Sequence, residues 1–452
     1  MRQYKKTAAF VFIGKEEKMK TVHEVARDIP VIAETDILIA GGGPAGTAAA
    51  LAAARCGVRV MIVENNSCLG GIATSGMMSH WTGGTFSPIM NELQDACHQI
   101  HWPVEDGFQA SYIAINHEKL KLVLFNKLDE AGVVIRTHTL CADVVMDGTT
   151  VRGVILESKS GREAVLAKVV IDATGDGDIA AKANVPFRKG RDEDERMQPV
   201  TLMFKIAGVD YSRAIFPGSF ESYVQVPKGE IQALGKQILP KPAGHTLLYR
   251  STQDGHVVVN MTNLIDIDGT NADDLTKAEI ETHRQIPFII DFLREYAPGY
   301  ENCYLLASAE MVGVRETRHF EAEYIITGED IMEATVFPDW IATKLLFNFD
   351  IHNLDGAGLD KNGAQRHFHC KGNYTIPYRC CVPKVVDYLL LAGRDICGTH
   401  KAHSNFRVMP ICANIGQGIG VAAAQAVKSG VKPRDVDITA VQEVLKSQGV
   451  EP

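Results

Sequence analysis

The sequence predicts an α/β fold that is built around a parallel sheet. Three observations support this prediction. A strand–helix–strand unit with a glycine-rich turn lies at residues 36–64, an apolar strand ends in Ala-Thr-Gly at residues 173–175, and another ends in Ala-Gly at residues 392–393. A helix rich in glycine and alanine follows the last strand from Pro410.

The strand–helix–strand unit is complete. The apolar run from Asp36 to Ala40 predicts a buried strand, residues 47–56 are strong helix formers, and residues 58–63 predict a second strand. Gly57 is expected to end the helix between them. This order of elements is typical of a Rossmann-type dinucleotide-binding domain.

Three glycines occupy the turn with the spacing G-x-G-x-x-G. Gly41 permits the tight turn, Gly43 allows the backbone to approach a pyrophosphate, and Gly46 allows the helix to pack close to the sheet. Glu64 ends the second strand about 20 residues later, where a carboxylate accepts hydrogen bonds from an adenosine ribose. The unit alone does not distinguish NAD from FAD.

Bulk composition narrows the function classes. The chain has 452 residues, enough for two or three domains, and its net charge of −9 argues against a nucleic-acid partner. No apolar run is long enough to span a membrane, and the 10 cysteines form no C-x-x-C pair, so we expect no metal and free thiols in a cytoplasmic protein. Residues 1–30 are interpreted as an N-terminal tail, within which Met19 is an alternative start.

The stretch after Glu64 predicts a loop and then a cover over the site. The loop at residues 65–76 is rich in glycine and hydroxyl side chains and is able to run along a dinucleotide, although an ordinary surface loop is the alternative. Residues 77–118 are expected to form a partly helical excursion over a pocket. Further on, a helix is predicted at residues 118–130, and strands are predicted at 133–135, 139–146, 151–158 and 165–171.

The pattern of predicted strands and helices changes in the middle of the chain, and a substrate domain is expected there. Strands are predicted at residues 200–206 and 256–261, and a long helix at 278–296 is expected to be interrupted near Pro287. Arg315 and Arg318 would share a face if they lay on a helix, as a functional pair or equally as a structural one.

Together these motifs resemble FAD-dependent oxidoreductases of the glutathione-reductase-like group, in which a β-meander precedes a strand that ends in Ala-Thr-Gly. They resemble in particular the family that includes the flavin part of heterodisulfide-reductase-like proteins, through residues 315–318, 376–379 and 402–410. The chain lacks that family's iron–sulfur cysteines, and it shows no second G-x-G-x-x-G unit for NAD(P)H.

The resemblance implies FAD as cofactor and a domain plan. A glutathione-reductase-like FAD-binding Rossmann-type domain with a β-meander is expected at residues 31–195 and 346–440, with an inserted α+β substrate domain at 196–345. It also implies that Val144 touches the adenine through its backbone and that the last helix points its N-terminus at the flavin. The predicted cofactor-binding residues are Gly41, Gly43, Pro44, Ala45, Gly46, Glu64, Asn65, Gly70, Gly71, Thr74, Val144, Ala173, Thr174, Gly175, Gly393, Arg394, Asp395, Gly416 and Gly418.

The expected function is that of a FAD-dependent dehydrogenase or reductase that transfers a hydride between flavin and a small organic substrate. A flavin monooxygenase is one alternative, a FAD-bearing electron-transfer component of a complex is another, and the electron donor or acceptor is left open. In the predicted loop from His400 to Arg407, His403 is the candidate acid–base group and Arg407 the candidate substrate clamp, with structural roles as the alternative. Second-rank catalytic candidates are His352, Tyr378 and Arg379.

Overall fold

The computed structural model describes residues 21–85, 87–103, 111–365 and 367–452. Most of the predicted tail, including Met19, lies outside the described residues. The strands are β1 (Val31–Ala40), β2 (Val60–Val63), β3 (His80–Trp81), β4 (Ile100–Pro103), β5 (Ser111–Ala114), β6 (Val134–Arg136), β7 (Leu140–Asp147), β8 (Thr150–Ser158), β9 (Gly161–Asp172), β10 (Phe187–Lys189), β11 (Phe204–Ala207), β12 (Gln225–Val226), β13 (Gly229–Glu230), β14 (Leu248–Arg250), β15 (Val257–Val259), β16 (Tyr304–Ser308), β17 (Arg318–Phe320), β18 (Trp340–Leu345), β19 (Tyr374–Pro377) and β20 (Leu389–Leu391). The helices are α1 (Pro44–Arg55), α2 (Pro88–Ala96), α3 (His117–Glu130), α4 (Asp178–Lys182), α5 (Ile231–Ile238), α6 (Ala272–Tyr296), α7 (Gly328–Met332), α8 (His400–Phe406), α9 (Met409–Ser429) and α10 (Ile438–Ser447).

A seven-stranded sheet forms the centre of the first hydrophobic core. Six of its strands follow the order β6-β2-β1-β9-β8-β7, and the seventh, β20, also pairs with β9. Strands β1, β2, β6, β9 and β20 run parallel, whereas β7, β8 and β9 form an antiparallel meander. One edge of β9 pairs with β1 along most of its length, while the other is shared by β8 and, further along, β20. The prediction of an α/β fold with parallel strands and a β-meander is confirmed, and the glutathione-reductase-like subtype stays a prediction.

Helices α1 and α9 pack closely because glycines remove side chains at their contacts. A Cβ atom at Gly46 would overlap the carbonyl oxygen of Gly41, and one at Gly416 would overlap that of Ala45. The backbone of α1 therefore lies directly against both the sheet and α9. This arrangement fixes the N-terminus of α1 at the carboxyl ends of β1 and β9.

A second hydrophobic core lies around the antiparallel sheet β14-β15-β11-β16 and helix α6. It includes Phe204, Val258, Ile289 and Tyr300, and it draws on residues up to Val314. Strands β17 and β18 instead pack on the first core, so the packing changes before residue 345. The predicted domain boundaries at 196 and 345 stay predictions.

Three local predictions need correction. Helix α6 is assigned as one element through Pro287, because burial of Ile286, Ile289 and Leu293 offsets a cost of roughly 3 kcal/mol for an interior proline. Residues 313–317 are not helical, so Arg315 and Arg318 share no helix face. The predicted loop from residue 400 is helix α8, capped by Thr399.

Within the described ranges, no helix is both long enough and apolar enough to cross a lipid bilayer.

Candidate active site

A cavity of about 430 Å³ runs between the carboxyl ends of the parallel strands and the second sheet. Its first part, here called the trough, follows the glycine turn, the end of β2 and the Ala-Thr-Gly segment. Its second part, here called the chamber, lies against the second sheet and is lined by apolar side chains together with a group of polar ones. The trough is lined by Gly41, Gly43, Pro44, Ala45, Glu64, Asn65, Gly71, Thr139, Cys141, Ala173, Thr174, Gly175, Asp176, Gly393 and Arg394, and the chamber by His80, Thr201, Ser219, Phe220, Tyr249, Asn260, Arg315, Asp350, His352, Gln365 and Arg407.

The glycine turn places its backbone at the floor of the trough. Gly41 has a φ of +96°, and its backbone lies so close to Ala173 that a Cβ atom would collide with that residue's carbonyl group. Gly43 differs, because a Cβ atom there would have no neighbouring atom within 4 Å. The protein itself therefore imposes no steric demand for glycine at residue 43, and the free space faces the trough.

Glu64 is held at the end of β2 by its own neighbours. Its Oε2 accepts a hydrogen bond of 2.8 Å from the backbone N–H of Gly42, and its Oε1 accepts bonds of 2.8 Å from the backbone N–H and the side-chain amide of Asn66. The side chain is 6% exposed. The carboxylate is thus fixed in orientation and joins the glycine turn to the following loop.

These features fit FAD. The open space at Gly43, beside the N-terminus of α1, suits a pyrophosphate that approaches the backbone. Arg394 lines the trough, donates to Asp176 at 3.0 Å, and has a buried Nη1 that finds no acceptor among the described residues. An anionic group is what such a donor needs. The trough would therefore hold the dinucleotide through Gly43, Glu64 and Arg394.

The chamber is organised by Asp350. Its carboxylate accepts a hydrogen bond of 2.9 Å from Arg407 Nη2 and one of 2.9 Å from Gln365, and it lies 3.3 Å from Nε2 of His352. Arg407 also donates to the backbone carbonyl of Asp350 at 2.9 Å. Burial alone would raise the pKa of Asp350, but His352 and Arg407 together lower it well below its usual range. Asp350 is therefore an anion that fixes both neighbours.

His352 is neutral at pH 7. Burial is the main cause that lowers its pKa to about 4, and the positive charge of Arg315 adds to the effect. Because Nε2 faces the Asp350 carboxylate, the proton of the neutral ring is assigned to Nε2, which leaves Nδ1 as the acceptor. The edge of the ring packs on Phe220, with 4.7 Å between ring centroids.

Arg315 approaches the chamber from the segment before β17. Its Nη1 donates to the carbonyl of Pro199 at 2.6 Å and to the hydroxyl of Thr201 at 2.9 Å. Burial lowers the pKa of this guanidinium to about 9, and repulsion from Arg407 contributes. Among the described residues, no carboxylate lies within ion-pair distance of Arg315.

The segment that carries Arg315 is anchored by a buried ionic cluster. The Glu316 carboxylate lies 2.8 Å from Nε2 of His319 and 2.6 Å from Nδ1 of His400, and it accepts the backbone N–H of Gln198 at 3.0 Å. Burial alone would lower the pKa of His400, but Glu316 raises it. The cluster ties α8 to the wall of the chamber.

An aromatic pair also lines the chamber. The rings of His80 and Tyr249 stack with 4.2 Å between centroids and 11° between planes. Asn260 donates to the Tyr249 hydroxyl at 3.2 Å. Burial lowers the pKa of His80 to about 3, so this pair carries no charge at pH 7.

Most predicted cofactor residues line the trough, but seven do not. Gly46, Gly416 and Gly418 serve helix packing, since Cβ atoms there would overlap backbone carbonyl groups. The other four also lie outside the lining. Gly70 and Thr74 shape the loop around Gly71, and Asp395 is buried next to Arg394. Val144 lies further along the chain than the lining residues of that segment, which are Thr139, Leu140 and Cys141. Their predicted contacts with FAD stay untested.

Three predicted catalytic residues are not brought to the cavity. His403 is 1% exposed on the inner side of α8, packed between His319 and Phe406, and burial lowers its pKa well below the usual value. Tyr378 is buried and donates to the carbonyl of Pro433 at 2.8 Å. Arg379 pairs with Asp339 at 3.0 Å. Arg407 and His352 do line the chamber.

Sequence reasoning does not single out several lining residues. Asp350 stands two positions before His352, in a stretch that is predicted only to return to the nucleotide domain. Tyr249 and Asn260 lie on or next to strands of the second sheet, and nothing in their local sequence marks them. Among the described residues, no group of histidine, cysteine, aspartate or glutamate side chains is arranged to hold a metal ion.

Comparisons with known proteins agree with this geometry. The family model of FAD dependent oxidoreductases matches residues 36–445. Thiamine thiazole synthase of Methanococcus aeolicus is 28% identical over 208 residues, which are 41% of this chain and 73% of that protein. Digeranylgeranylglycerophospholipid reductase 2 of Methanothermobacter thermautotrophicus is 27% identical over 223 residues, which are 44% of this chain and 55% of the reductase, so the match spans about half of that protein.

Among solved structures, a geranylgeranyl bacteriochlorophyll reductase-like protein from Thermoplasma acidophilum has a TM-score of 0.47 and 12% identity, covering 92% of this chain and 83% of that one.

The family match spans the glycine turn, the Ala-Thr-Gly strand end and the last glycine-rich helix. The first two form walls of the trough, and the helix packs directly behind it. The chain therefore belongs to the FAD dependent oxidoreductase family, and it is an oxidoreductase that uses FAD as its cofactor.

Proposed function

We propose that this oxidoreductase transfers a hydride between flavin and a small organic substrate that binds in the chamber. The observation that carries the proposal is the continuity of the cavity, in which the trough opens directly into a space that several polar side chains line. FAD, when bound, supplies the hydride acceptor or donor. The chain itself would bind and orient the substrate and move the accompanying proton.

In this proposal His352 exchanges the proton. A neutral imidazole accepts a proton at Nδ1 when a hydroxyl is oxidised to a carbonyl and returns it in the reverse direction. Asp350 supports this role, since it orients the ring through Nε2 and stabilises the charge that forms on it. His403 loses the acid–base role predicted from the sequence because it is enclosed away from the cavity.

Arg407 keeps its predicted role as a substrate clamp in a modified form. Its Nη2 is committed to Asp350, so its position is fixed before any substrate arrives. Such a preorganised guanidinium holds an oxygen of the substrate without further loss of side-chain freedom.

Four finer points belong to the same proposal. The meander of β7, β8 and β9 supports a glutathione-reductase-like cofactor domain. The described packing supports a separate substrate domain, for which we retain the predicted range 196–345. All ten cysteines are free, which supports a reducing compartment such as the cytoplasm. The relatives are named for small molecules and lipids, which supports a small organic substrate.

The test is a screen of the purified flavoprotein against a panel of metabolites under nitrogen, followed by flavin absorbance. A direct dehydrogenase loses flavin absorbance with its substrate alone. If flavin is reduced only by a separate donor and substrate is converted only with oxygen, the hydride proposal is wrong and a monooxygenase is indicated.

A variant pair tests the role of His352. His352→Gln is expected to keep the flavin spectrum and slow flavin reduction by ~10²–10⁴-fold, the usual contribution of a general acid–base group. His283→Gln is the control, because that histidine is exposed on α6. Equal reduction rates in both variants would remove His352 from the mechanism.

A further inference from the structure

The chamber holds an excess of positive charge. Arg315 and Arg407 both line it, whereas Asp350 is the carboxylate that acts on them. The nearby histidines do not add to the balance, because burial keeps His352 and His80 neutral at pH 7. One guanidinium charge is therefore left without a counter-charge among the described residues.

Among the described residues, Arg315 is the chamber arginine that makes no ion pair, although Asp350 lies near enough to act on its charge. Asp350 is already bonded to Arg407, His352 and Gln365. Arg315 is bonded instead to two neutral oxygens, those of Pro199 and Thr201, through Nη1 alone. Burying an unpaired charge is unfavourable, so an anion that enters the chamber and pairs with Arg315 would relieve this cost.

We propose that the chamber recognises its substrate through a carboxylate that pairs with Arg315, so that the substrate class is the small monocarboxylic acids. This inference rests on the proposed function, because it names the substrate of the same site. A guanidinium presents a planar fork of N–H donors that matches a carboxylate in two parallel hydrogen bonds. A single negative charge balances the chamber, and a neutral alcohol or a dianion does not.

The geometry also explains why Arg407 and Arg315 are held differently. Arg407 is fixed by a carboxylate of the chain, whereas Arg315 is fixed by neutral oxygens that leave its charge available. The Glu316 cluster then holds the segment that carries Arg315 without neutralising it, since Glu316 is bonded to His319 and His400.

The experiment titrates the purified flavoprotein with straight-chain carboxylates from acetate to hexanoate and with the matched amides. Binding is followed by the change in flavin absorbance and by calorimetry. The wild type is expected to bind the best acid at least about tenfold more tightly than its amide, because the amide lacks the charge. Arg315→Met should remove this preference, and Arg315→Lys should keep part of it.

Two further variants test the proposal without any substitution of Arg315, in case that substitution prevents the protein from folding. Asp350→Asn removes the internal counter-charge and is expected to increase the ratio of acid to amide affinity. Arg213→Met removes a positive charge at the surface, where Arg213 pairs with Glu301, and should leave the ratio unchanged.

Several results would overturn the inference. It is wrong if amides bind the wild type as well as acids do, or if Arg315→Met retains the preference. It is also wrong if Arg315→Met shifts the flavin reduction potential while the affinity ratio stays the same, because Arg315 would then serve the flavin. If acids bind preferentially, but no hydroxy acid reduces the oxidised flavin and no keto acid reoxidises the reduced flavin under nitrogen, the carboxylate site stands and the hydride proposal fails.

Discussion

Replacement of Gly43 by serine separates the demands of the cofactor from those of the fold. Gly43 is the N-cap of α1, with φ −70° and ψ −173°, a conformation that any residue adopts. A Cβ atom there has no neighbour within 4 Å. Serine is a better N-cap than glycine, so the apoprotein should be as stable as the wild type or slightly more stable.

FAD binding should respond in the opposite direction. A side chain at residue 43 would occupy the free space into which a pyrophosphate approaches the backbone. The loss of one hydrogen bond to a charged group costs about 1.5–3 kcal/mol, which corresponds to a roughly 10- to 150-fold increase in Kd. A larger increase is expected for Gly43→Val, which fills more of the space without providing a cap.

Gly46→Ala is the matched control, three residues along the same turn. A Cβ atom at Gly46 would overlap the carbonyl oxygen of Gly41, so this variant should destabilise the apoprotein itself by about 1–3 kcal/mol. The assay combines urea unfolding of both apoproteins with fluorescence titration of FAD into each. Gly43→Ser should thus show its defect in the FAD titration, and Gly46→Ala should show its defect in urea unfolding.

The reasoning is refuted if Gly43→Ser binds FAD with the Kd of the wild type. It is equally refuted if Gly43→Ser unfolds as readily as Gly46→Ala, because residue 43 would then be required by the fold.

Two other predictions concern buried carboxylates. Glu64→Gln should lower the unfolding free energy of the apoprotein by about 1–3 kcal/mol, in addition to weakening FAD binding. The reason is that an amide cannot accept hydrogen bonds from all three N–H groups that donate to Glu64. Unchanged stability of the apoprotein in urea would contradict this prediction. Glu316→Gln should be less stable than the wild type mainly between about pH 4.5 and 6.5. The contribution of His400, whose pKa is raised in the folded state, is fully present below the pKa of the unfolded state and is lost as pH rises through the folded pKa. The contribution of Glu316, whose pKa is lowered in the folded state, is fully present above the pKa of the unfolded state and is lost as pH falls through the folded pKa. Thermal unfolding of both proteins across this range checks the second prediction, and a difference that does not vary with pH would contradict it.

The trough could be predicted from the sequence because its chemistry is local. The turn from Gly41 to Gly46, the end of β2 at Glu64 and the strand end at Ala173 each carry a short motif. Parallel strands bring their carboxyl ends to one edge of the sheet, so motifs far apart in sequence meet there.

The structure differs from the expected arrangement where long-range packing decides the outcome, and the predicted roles of the residues concerned stay untested. Gly416 and Gly418 form part of a glycine-rich motif, but the structure uses them to bring α9 against Ala45 and Ile341. His403 lies in the expected stretch, but the stretch is helical and turns that ring inward, towards His319. Periodicity over seven residues is too short to reveal which face of α8 is buried.

The chamber shows why a substrate site is harder to derive than a cofactor site. Its charged residues come from the segment before β17, the segment after β18 and the end of α8, and they meet only when the second core closes on the first. The sequence shows that Arg315 and Arg407 exist, but it does not show that Asp350 neutralises one and leaves the other unpaired. That difference depends on which atoms lie within hydrogen-bond distance, and it distinguishes Arg407, which is paired with Asp350, from Arg315, which makes no ion pair among the described residues. Specificity in this enzyme is therefore set by the distribution of counter-charges around a shared cavity.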